Sequence, residues 1–411
     1  MVVRLGPAVA LLAALPAFGC GGAGGGDPDG GSSDADAGPD IAALVSAGFK
    51  HTCALTSEGD IKCWGGNWNG CLGIGYDYIE GTIPLDVLGF ESGAVDVSAG
   101  YSHTCAVDAG GGVWCWGDNW HGQLGAPVGI ESWEPVPVVG LDHGYVAVSA
   151  GSSHTCALSE EGEAKCWGKN DWGALGDGTT QGSLEPVSVS GLSSPAISIE
   201  CAGGGATCAL TQQGGVECWG NAQLCGIGEH DPTVQFPPTT AEGLGTGVSL
   251  LAGSVSHLCV ALEAGGGRCW GQNGKGELGN GTSEFGWIPT KIIDLDTSLD
   301  DISSGGDHTC ASTSVGKVLC WGSNHYGQLG LGSVGGEEYE PVEVAGLDGV
   351  EITSVASGGH HTCALTSTGG IKCWGDYAGG QLGNGMGFGE ECVEWDDCLM
   401  PTPVDVVGFG Q

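Results

Sequence analysis

The chain has few positively charged residues. Its 411 residues include 10 Lys and Arg against 49 Asp and Glu, a formal net charge of −39 at pH 7. Because binding to a phosphate backbone depends on clustered Lys and Arg, this composition argues against nucleic acid as a partner. An anionic membrane surface would repel the same charge, which favours solubility and basic partners.

Long hydrophobic runs and catalytic motifs are lacking as well. The apolar stretch over residues 8–18 is shorter than the roughly 20 residues of a transmembrane helix. No helical periodicity follows it, and no nucleophile elbow, phosphate-binding loop or H-E-x-x-H pair occurs. We therefore predict no catalytic residue, no metal site and no cofactor.

What the chain does contain is a repeat. H-T-C-A-L, or a close variant, precedes C-W-G seven times at a period of about 50 residues, which is the sign of a repeat architecture. The cysteine pairs are Cys53 and Cys63, Cys105 and Cys115, Cys156 and Cys166, Cys208 and Cys218, Cys259 and Cys269, Cys310 and Cys320, and Cys363 and Cys373.

Each copy predicts a β-hairpin bridged by its own cysteines. In the first copy the hairpin centres on Glu58, and its three-residue loop ends in Gly59, which takes a left-handed conformation without steric cost. This register places Cys53 opposite Cys63 as a non-hydrogen-bonded pair, whose Cα atoms lie about 4.5 Å apart and accept a disulfide. A zinc site is disfavoured because zinc ligands usually come in closer pairs.

Further strands complete each repeat. The hairpin is followed by a G-Q-L-G turn, a Pro-Val segment and a Val-rich run that ends in Ser-Ala-Gly. This makes four short strand candidates per repeat, which is the size of a propeller blade. Residues 41–411 hold seven such units. The sequence therefore predicts an all-β fold, a seven-bladed β-propeller with one disulfide within each blade.

The motifs H-T-C-A-L, C-W-G-x-N, G-Q-L-G and the Pro-Val run resemble the repeats of the regulator-of-chromosome-condensation family across residues 41–411. The resemblance implies a seven-bladed propeller in which strands from both chain ends share one closing blade, here residues 41–46 and 404–407. The cysteine pairs depart from the nuclear members and suit an oxidising compartment. The basic tail of the nuclear member is missing, so its nucleotide-exchange activity is not expected here.

The N-terminus predicts export. Arg4, the apolar stretch and Gly19-Cys20 form a signal peptide over residues 1–20, whose end resembles the lipobox of bacterial lipoproteins. We expect Cys20 to carry a lipid, with simple secretion as the alternative. Residues 21–40 are Gly, Ala, Asp, Ser and Pro and predict a disordered acidic tether. The predicted location is the cell envelope or cell surface, with the lipid as the only contact with a membrane.

Six cysteines lie outside the repeated pairs, Cys20 among them. Cys392 and Cys398 are close together in an insertion of the last repeat, and we expect them to form a disulfide. Cys201 and Cys225 both belong to the fourth repeat, and we predict a disulfide between them too. Cys71 is then left without a partner cysteine.

Positions that repeat without change are interpreted as scaffold. His stands two residues before the first Cys in six repeats, with Ala206 in the fourth. We interpret this His as a structural hydrogen-bonding residue rather than a metal ligand. The Trp of each C-W-G is interpreted as packing between blades.

Positions that differ between repeats are the candidates for function. The loop N-x-x-G after each C-W-G varies, and these loops should lie together at one face of a propeller. Exposed aromatic side chains there would anchor a protein interface or stack on sugars. The alternative is that they pack on the next blade. The candidate binding residues are Trp68, Trp120, Trp172, Tyr326 and Tyr377.

The predicted function is a surface-anchored binding or interaction module that acts as a monomer. The expected partner is a protein, and a polysaccharide is the second choice. The alternative function is an extracellular glycan hydrolase or lyase that uses acidic residues in the propeller funnel.

Overall fold

The computed structural model describes residues 39–76, 80–90, 93–228, 235–387, 392 and 398–410. The predicted signal peptide, the lipidated Cys20 and nearly all of the predicted tether therefore lie outside the described residues. Within the described part of the chain, no helix is long and apolar enough to cross a membrane.

The described residues form seven four-stranded antiparallel sheets, each built from four consecutive strands. Each repeat is thus one blade, and the predicted seven-bladed β-propeller is confirmed. Blade 1 contains β1 (Ala42–Ala47), β2 (His51–Thr56), β3 (Ile61–Gly66) and β4 (Glu80–Asp86). Blade 2 contains β5 (Ala94–Ala99), β6 (His103–Asp108), β7 (Val113–Asp118) and β8 (Glu131–Pro137). Blade 3 contains β9 (Tyr145–Ala150), β10 (His154–Ser159), β11 (Ala164–Gly168) and β12 (Ser183–Ser188).

Blades 4 to 7 repeat the same order of strands. Blade 4 contains β13 (Ala196–Ala202), β14 (Ala206–Thr211), β15 (Val216–Asn221) and β16 (Gln235–Thr240). Blade 5 contains β17 (Val248–Gly253), β18 (His257–Leu262), β19 (Gly267–Gly271) and β20 (Gly286–Lys291). Blade 6 contains β21 (Leu299–Ser304), β22 (His308–Thr313), β23 (Val318–Ser323) and β24 (Glu337–Glu343). Blade 7 contains β25 (Ile352–Ser357), β26 (His361–Thr366), β27 (Ile371–Asp376) and β28 (Leu399–Asp405).

The two middle strands of each blade form the predicted hairpin. In blade 1, Cys53 pairs with Cys63 and Leu55 with Ile61, and Gly59 closes the turn with a φ of 94°. A disulfide bridges all seven hairpins, with Cα atoms 4.0 or 4.1 Å apart. The seven predicted disulfides are therefore confirmed.

The remaining cysteines follow the prediction only in part. Cys392 and Cys398 are bridged as expected. Cys201 and Cys225 are buried free thiols, like Cys71, so the predicted disulfide between them is wrong. Cys201 lies in the innermost strand of blade 4 and packs towards blade 3, whereas Cys225 packs in the cluster that blade 4 forms with blade 5. The two thiols belong to one repeat but face opposite neighbours.

At every interface the repeated Trp donates to a backbone carbonyl of the preceding blade, and at six of the seven a Thr of the same blade shares that acceptor. Between blades 2 and 3, Nε1 of Trp167 and Oγ1 of Thr155 both donate to the oxygen of Gln123 at 2.8 Å. The indole N–H of a buried Trp requires such an acceptor. This confirms the predicted role of the Trp between blades. The acceptors around the ring are Gln381, Cys71, Gln123, Ala174, Leu224, Glu277 and Gln328.

The Gly that ends each G-Q-L-G turn makes room for this contact. At Gly125 the backbone has a φ of 63°, and a Cβ atom would lie 2.8 Å from the indole nitrogen of Trp167. Both the backbone conformation and the closeness of the ring exclude other residues.

The recurring His adds a second bond across the interface. Nε2 of His103 lies 2.9 Å from Oγ1 of Thr155. Because the hydroxyl proton of Thr155 goes to the Gln123 carbonyl, the His nitrogen is the donor. Burial lowers the pKa of His103 to about 3, which is consistent with a neutral ring. The other pairs are His51–Thr104, His154–Thr207, His257–Thr309, His308–Thr362 and His361–Thr52.

The interface between blades 4 and 5 lacks the His–Thr bond. Ala206 stands at the His position of blade 4, and Leu258 stands at the matching Thr position of blade 5. Both side chains are fully buried. Because both partners are replaced together, neither a donor nor an acceptor is left buried without a partner.

Ring closure between blades 7 and 1 uses the same bonds as the other interfaces. Thr52 and Trp64 of blade 1 both donate to the oxygen of Gln381 in blade 7, each at 2.9 Å. β1 belongs to blade 1 and β28 to blade 7. The predicted blade with strands from both ends is therefore wrong. The chain ends meet in a single parallel bridge between Asp40 and Phe409, outside the sheets.

Removal of one hairpin bridge should destabilise the fold. In the double variant Cys105→Ala, Cys115→Ala, we expect the free energy of unfolding to fall by about 2–3 kcal/mol, because the short loop no longer restricts the unfolded chain. Denaturant titration without reductant measures this change. An unchanged midpoint and slope would contradict the assignment, and the two proteins should become nearly alike once both are fully reduced.

The natural Ala206–Leu258 pair suggests a double-mutant cycle. His103→Ala should destabilise the fold by about 1–3 kcal/mol, because Thr155 loses its donor. Adding Thr155→Leu recreates the natural apolar pair and should recover part of that loss. Unfolding free energies of the two single variants and the double variant give the coupling. Simple addition of the two single effects would show that the pair is not a unit.

Candidate interaction face

One end of the propeller carries the loops that vary between repeats. Since neighbouring strands are antiparallel, the loop between strands one and two of a blade emerges at the same end as the loop between strands three and four. We call this end the loop face. Its first loops are residues 48–50, 100–102, 151–153, 203–205, 254–256, 305–307 and 358–360, and its second loops follow β3, β7, β11, β15, β19, β23 and β27.

A buried Asn at the start of most second loops fixes their shape. Oδ1 of Asn119 accepts the backbone N–H of Leu124 at 3.0 Å. Asn67, Asn170, Asn273 and Asn324 make the same bond in their blades. The one or two side chains after the Asn are thereby directed outward. Of the predicted binding residues, Trp68 is 47%, Trp120 is 70% and Trp172 is 40% exposed.

Tyr377 does not belong to this surface. It occupies the position of the buried Asn in the blade 7 loop, and it is 5% exposed in the core between blades 7 and 1. Its assignment as a candidate binding residue is therefore wrong. In the sequence Tyr377 stands three residues before a Gly, which is also the position of the Asn in other repeats. The structure shows that its side chain is buried, as the side chain of that Asn is.

Two of the predicted residues also contact the next blade. Tyr326 is half-buried and stacks on His360 of blade 7, with ring centroids 4.3 Å apart. Trp172 lies against Gly205 of blade 4. Tyr326 and Trp172 therefore pack partly on the next blade, which was the alternative to a role in binding. Trp68 and Trp120 are the most exposed of the predicted binding residues.

Sequence analysis missed three rings that extend the surface. Phe49 stacks on Tyr101 at a centroid distance of 4.2 Å and contacts His360 at 5.7 Å. With Tyr326 these rings form a continuous row over blades 2, 1, 7 and 6, which we call the aromatic arc. Phe49 and Tyr101 also line the mouth of the central channel. Their signal in the sequence is that the residue after each Ser-Ala-Gly or its equivalent varies between repeats.

The rest of the mouth is lined by smaller residues. Ser152, Gly203, Val255, Gly306 and Gly359 stand where blades 1 and 2 have Phe49 and Tyr101. The loop face is therefore asymmetric, with aromatic rings concentrated on one half. Beside the arc, Nζ of Lys50 lies 5.1 Å from the centroid of the Trp68 ring, which is a cation–π distance.

Below the mouth, the first strands of all seven blades enclose a chamber of about 360 Å³. Asp96, Glu200 and Asp301 line it. Oδ2 of Asp96 accepts the N–H of Val148 at 2.9 Å, and Oδ2 of Asp301 accepts the N–H of Val355 at 3.0 Å. The two Asp side chains thus tie the first strands of neighbouring blades together.

The apolar surroundings raise the pKa values of all three carboxyl groups. Burial raises the pKa of Asp96 to about 6 and that of Asp301 to about 7. For Glu200, burial and the nearby charges of Asp96 and Asp301 raise the pKa to about 8. Among the described residues, the group of three potential metal ligands that lie close together is His154, Cys156 and Cys201, and Cys156 is held in a disulfide.

Profiles of the regulator of chromosome condensation (RCC1) repeat match residues 58–107, 110–158, 161–210, 269–312 and 315–365. These matches cover more than half of the chain, which therefore belongs to the RCC1 repeat family. A second profile of the repeat matches residues 42–71, 94–123, 145–173, 300–328 and 352–381. Residues 211–268, which contain Leu258, match neither profile.

Individual relatives cover most of the chain. It is 34% identical over 352 residues to the ultraviolet-B receptor UVR8 of Arabidopsis thaliana, which covers 83% of this chain and 78% of UVR8. It is 28% identical over 369 residues to the regulator of chromosome condensation of Homo sapiens, covering 82% of this chain and 84% of that protein. The structure of Prp20p from Saccharomyces cerevisiae superposes on this chain with a TM-score of 0.73 at 20% identity. The match covers 89% of this chain and 87% of Prp20p, and it shows that the two proteins have the same fold.

The chamber predicts a pH dependence of stability. The pKa of Glu200 is about 8 in the folded chain and near 4.5 when unfolded, so the stabilisation is complete below about pH 4.5 and is lost as the pH rises through 8. Glu200→Gln keeps the neutral form. We expect its melting temperature to exceed that of the native chain at about pH 9, with the difference shrinking towards pH 5. The exposed Glu185→Gln is the control, and a constant difference across this range would contradict the assignment.

Proposed function

We propose that the loop face is a protein-binding surface and that the chain is a surface-anchored interaction module. The observation that carries this proposal is the exposure of Trp68 and Trp120 at equivalent positions of adjacent blades, on the same face as the exposed Tyr101 of the aromatic arc. Large exposed aromatic side chains are the residues that most often anchor protein interfaces. Rigid blades hold them in place, so little conformational entropy is lost on binding.

The relatives support a protein as partner. One solved structure is of Kap60 bound to yeast RCC1 (Prp20). Another describes the binding of Prp20p to Gsp1p and histones. We infer for this chain the coarser property that these proteins share, a propeller that binds other proteins, and none of their particular partners.

The charge of the chain indicates the character of the partner. With a net charge of −39, the chain would attract a basic surface and repel an acidic one. Aromatic anchors on a chain of this charge fit a partner that offers apolar pockets with Lys or Arg at their edge. Such binding weakens as salt screens the charges.

Anchoring through Cys20 and the acidic tether is part of the proposal, since it would present the loop face at the surface of the cell. The alternative function, a glycan hydrolase or lyase, has less support. Asp96 and Asp301 in the chamber accept backbone N–H groups of neighbouring blades. This structural role explains why they are there without a catalytic one. A polysaccharide remains the second choice of partner.

Capture by crosslinking tests the proposal. The native chain is incubated with an extract and an envelope fraction of the source cell, crosslinked and analysed by mass spectrometry. We expect a specific protein to be captured by the native chain and at least tenfold less by Trp68→Ala, Trp120→Ala, since loss of two anchors costs about 3 kcal/mol or more. Capture should also fall when salt is raised.

The control variant is Leu88→Ala, Val315→Ala, which removes two exposed apolar side chains at the opposite end of the propeller. It should capture the same protein as the native chain. Equal capture by all three forms would place the site elsewhere. Capture that survives protease treatment of the envelope fraction would identify a polysaccharide and overturn the protein assignment.

A further inference from the structure

Cys201 stands at a position where no other blade has a thiol. It lies in β13, the first strand of blade 4, near the end of that strand at the mouth of the channel. Its backbone N–H donates to Oγ of Ser149 at 2.9 Å. Its side chain is 6% exposed and lines both the chamber and the mouth of the channel. The equivalent residues of the other blades are Ala47, Ala99, Ala150, Gly253, Ser304 and Ser357.

The thiol lies next to a disulfide of the neighbouring blade. Sγ of Cys201, Sγ of Cys156 and a ring nitrogen of His154 are all within 4.8 Å of one another. Cys156 is bonded to Cys166 in the hairpin of blade 3. The other hairpins of the ring have a methyl group, a hydrogen or a hydroxyl at the place of this third sulfur. Of these seven equivalent positions, the one beside the blade 3 disulfide is therefore the one that holds a thiol.

We propose that Cys201 exchanges with this bridge and converts the disulfide within blade 3 into one between blades 3 and 4. The Cys201 thiol loses its proton, and the thiolate attacks Sγ of Cys156. A Cys156–Cys201 bond forms as the Cys156–Cys166 bond breaks, and Cys166 leaves as a thiolate that takes up a proton. The number of disulfides and thiols is unchanged, so no oxidant or reductant is required.

The surroundings of Cys201 make this exchange slow at neutral pH. The nucleophile is the thiolate, and burial, with a smaller contribution from Glu200, raises the pKa of Cys201. His154 is neutral because burial lowers its pKa to about 4. Nε2 of His154 lies 3.0 Å from Oγ1 of Thr207, whose own proton goes to the Ala174 carbonyl. The neutral ring lends the thiolate no positive charge, so the thiol loses its proton to hydroxide and the exchange becomes faster as the pH rises.

The product would change what the disulfide restrains. The present bridge closes a short loop within one hairpin, whereas Cys156–Cys201 would close a much longer loop and join two blades covalently. In the chain-entropy model the bridge with the longer loop stabilises the folded chain more against unfolding. Exchange would therefore lock the interface between blades 3 and 4, which is otherwise held by hydrogen bonds and packing.

Disulfide mapping tests the proposal. The native chain is purified without reductant, incubated at neutral pH and at about pH 9, and quenched with acid. Free thiols are then alkylated, and peptides are identified after acidic, non-reducing digestion. We expect a Cys156–Cys201 peptide and alkylated Cys166, with a rate that rises roughly tenfold per pH unit. Alkylation confined to Cys201, Cys71 and Cys225 at every pH would overturn the proposal.

Two variants serve as controls. Cys201→Ser should keep the Cys156–Cys166 bridge at every pH, and Ser is the natural residue at this position in blades 6 and 7. Ala150→Cys places a thiol at the equivalent point of blade 3, beside the bridge of blade 2, and should yield a disulfide between Cys105 and the introduced thiol. The N–H of Ala150 is bonded to Oγ of Ser98 at 3.0 Å, as that of Cys201 is to Ser149. New disulfides that involve Cys71 or Cys225 would indicate exchange through unfolding and would also overturn the proposal.

Discussion

The fold depends on one backbone carbonyl per blade that accepts the indole N–H of the next blade's Trp and, at six of the seven interfaces, a Thr hydroxyl as well. At Gln123 the donors are the indole of Trp167 and the hydroxyl of Thr155. Because the hydroxyl of Thr155 donates its proton to this carbonyl, it can only accept the bond from His103. The side chains of Trp167, Thr155 and His103 therefore hold one another in place. The disulfides lie within blades and do not hold the ring closed. The repeated carbonyl does so, and the junction between blades 7 and 1 has the same three side-chain bonds as five of the other six interfaces.

The repeat itself made most of the fold predictable. Cysteines placed symmetrically about a turn that ends in Gly determine the hairpin register, since a shift of one residue would put Cys53 and Cys63 on opposite faces. The errors arose where two residues of one repeat were assumed to meet. Cys201 and Cys225 face different neighbouring blades, and β1 and β28 stay in separate blades. Contacts between blades join residues about 50 positions apart, and no spacing within a repeat reveals them.

The candidate site was predictable to a similar extent. Searching for positions that differ between repeats led to Trp68 and Trp120, which the structure exposes. The same search did not distinguish Tyr377, because the aromatic side chain there replaces a buried Asn. Phe49 and His360 gain their meaning only from stacking between blades that are adjacent in the ring and far apart in the chain. Sequence thus locates the variable loops, and the geometry of the ring decides which of them form one surface.

The paired replacement at Ala206 and Leu258 has a consequence for how such a ring evolves. A blade carries half of each contact with its neighbours, so blade 5 is matched to a neighbour without the His. If blade 5 followed a blade that carries the His, Leu258 would face a buried imidazole N–H with no acceptor. If blade 4 preceded a blade with Thr, the hydroxyl would lack its donor. Blades that look interchangeable in sequence are therefore not interchangeable in order, and a duplication or shuffling event would succeed only where the edges agree.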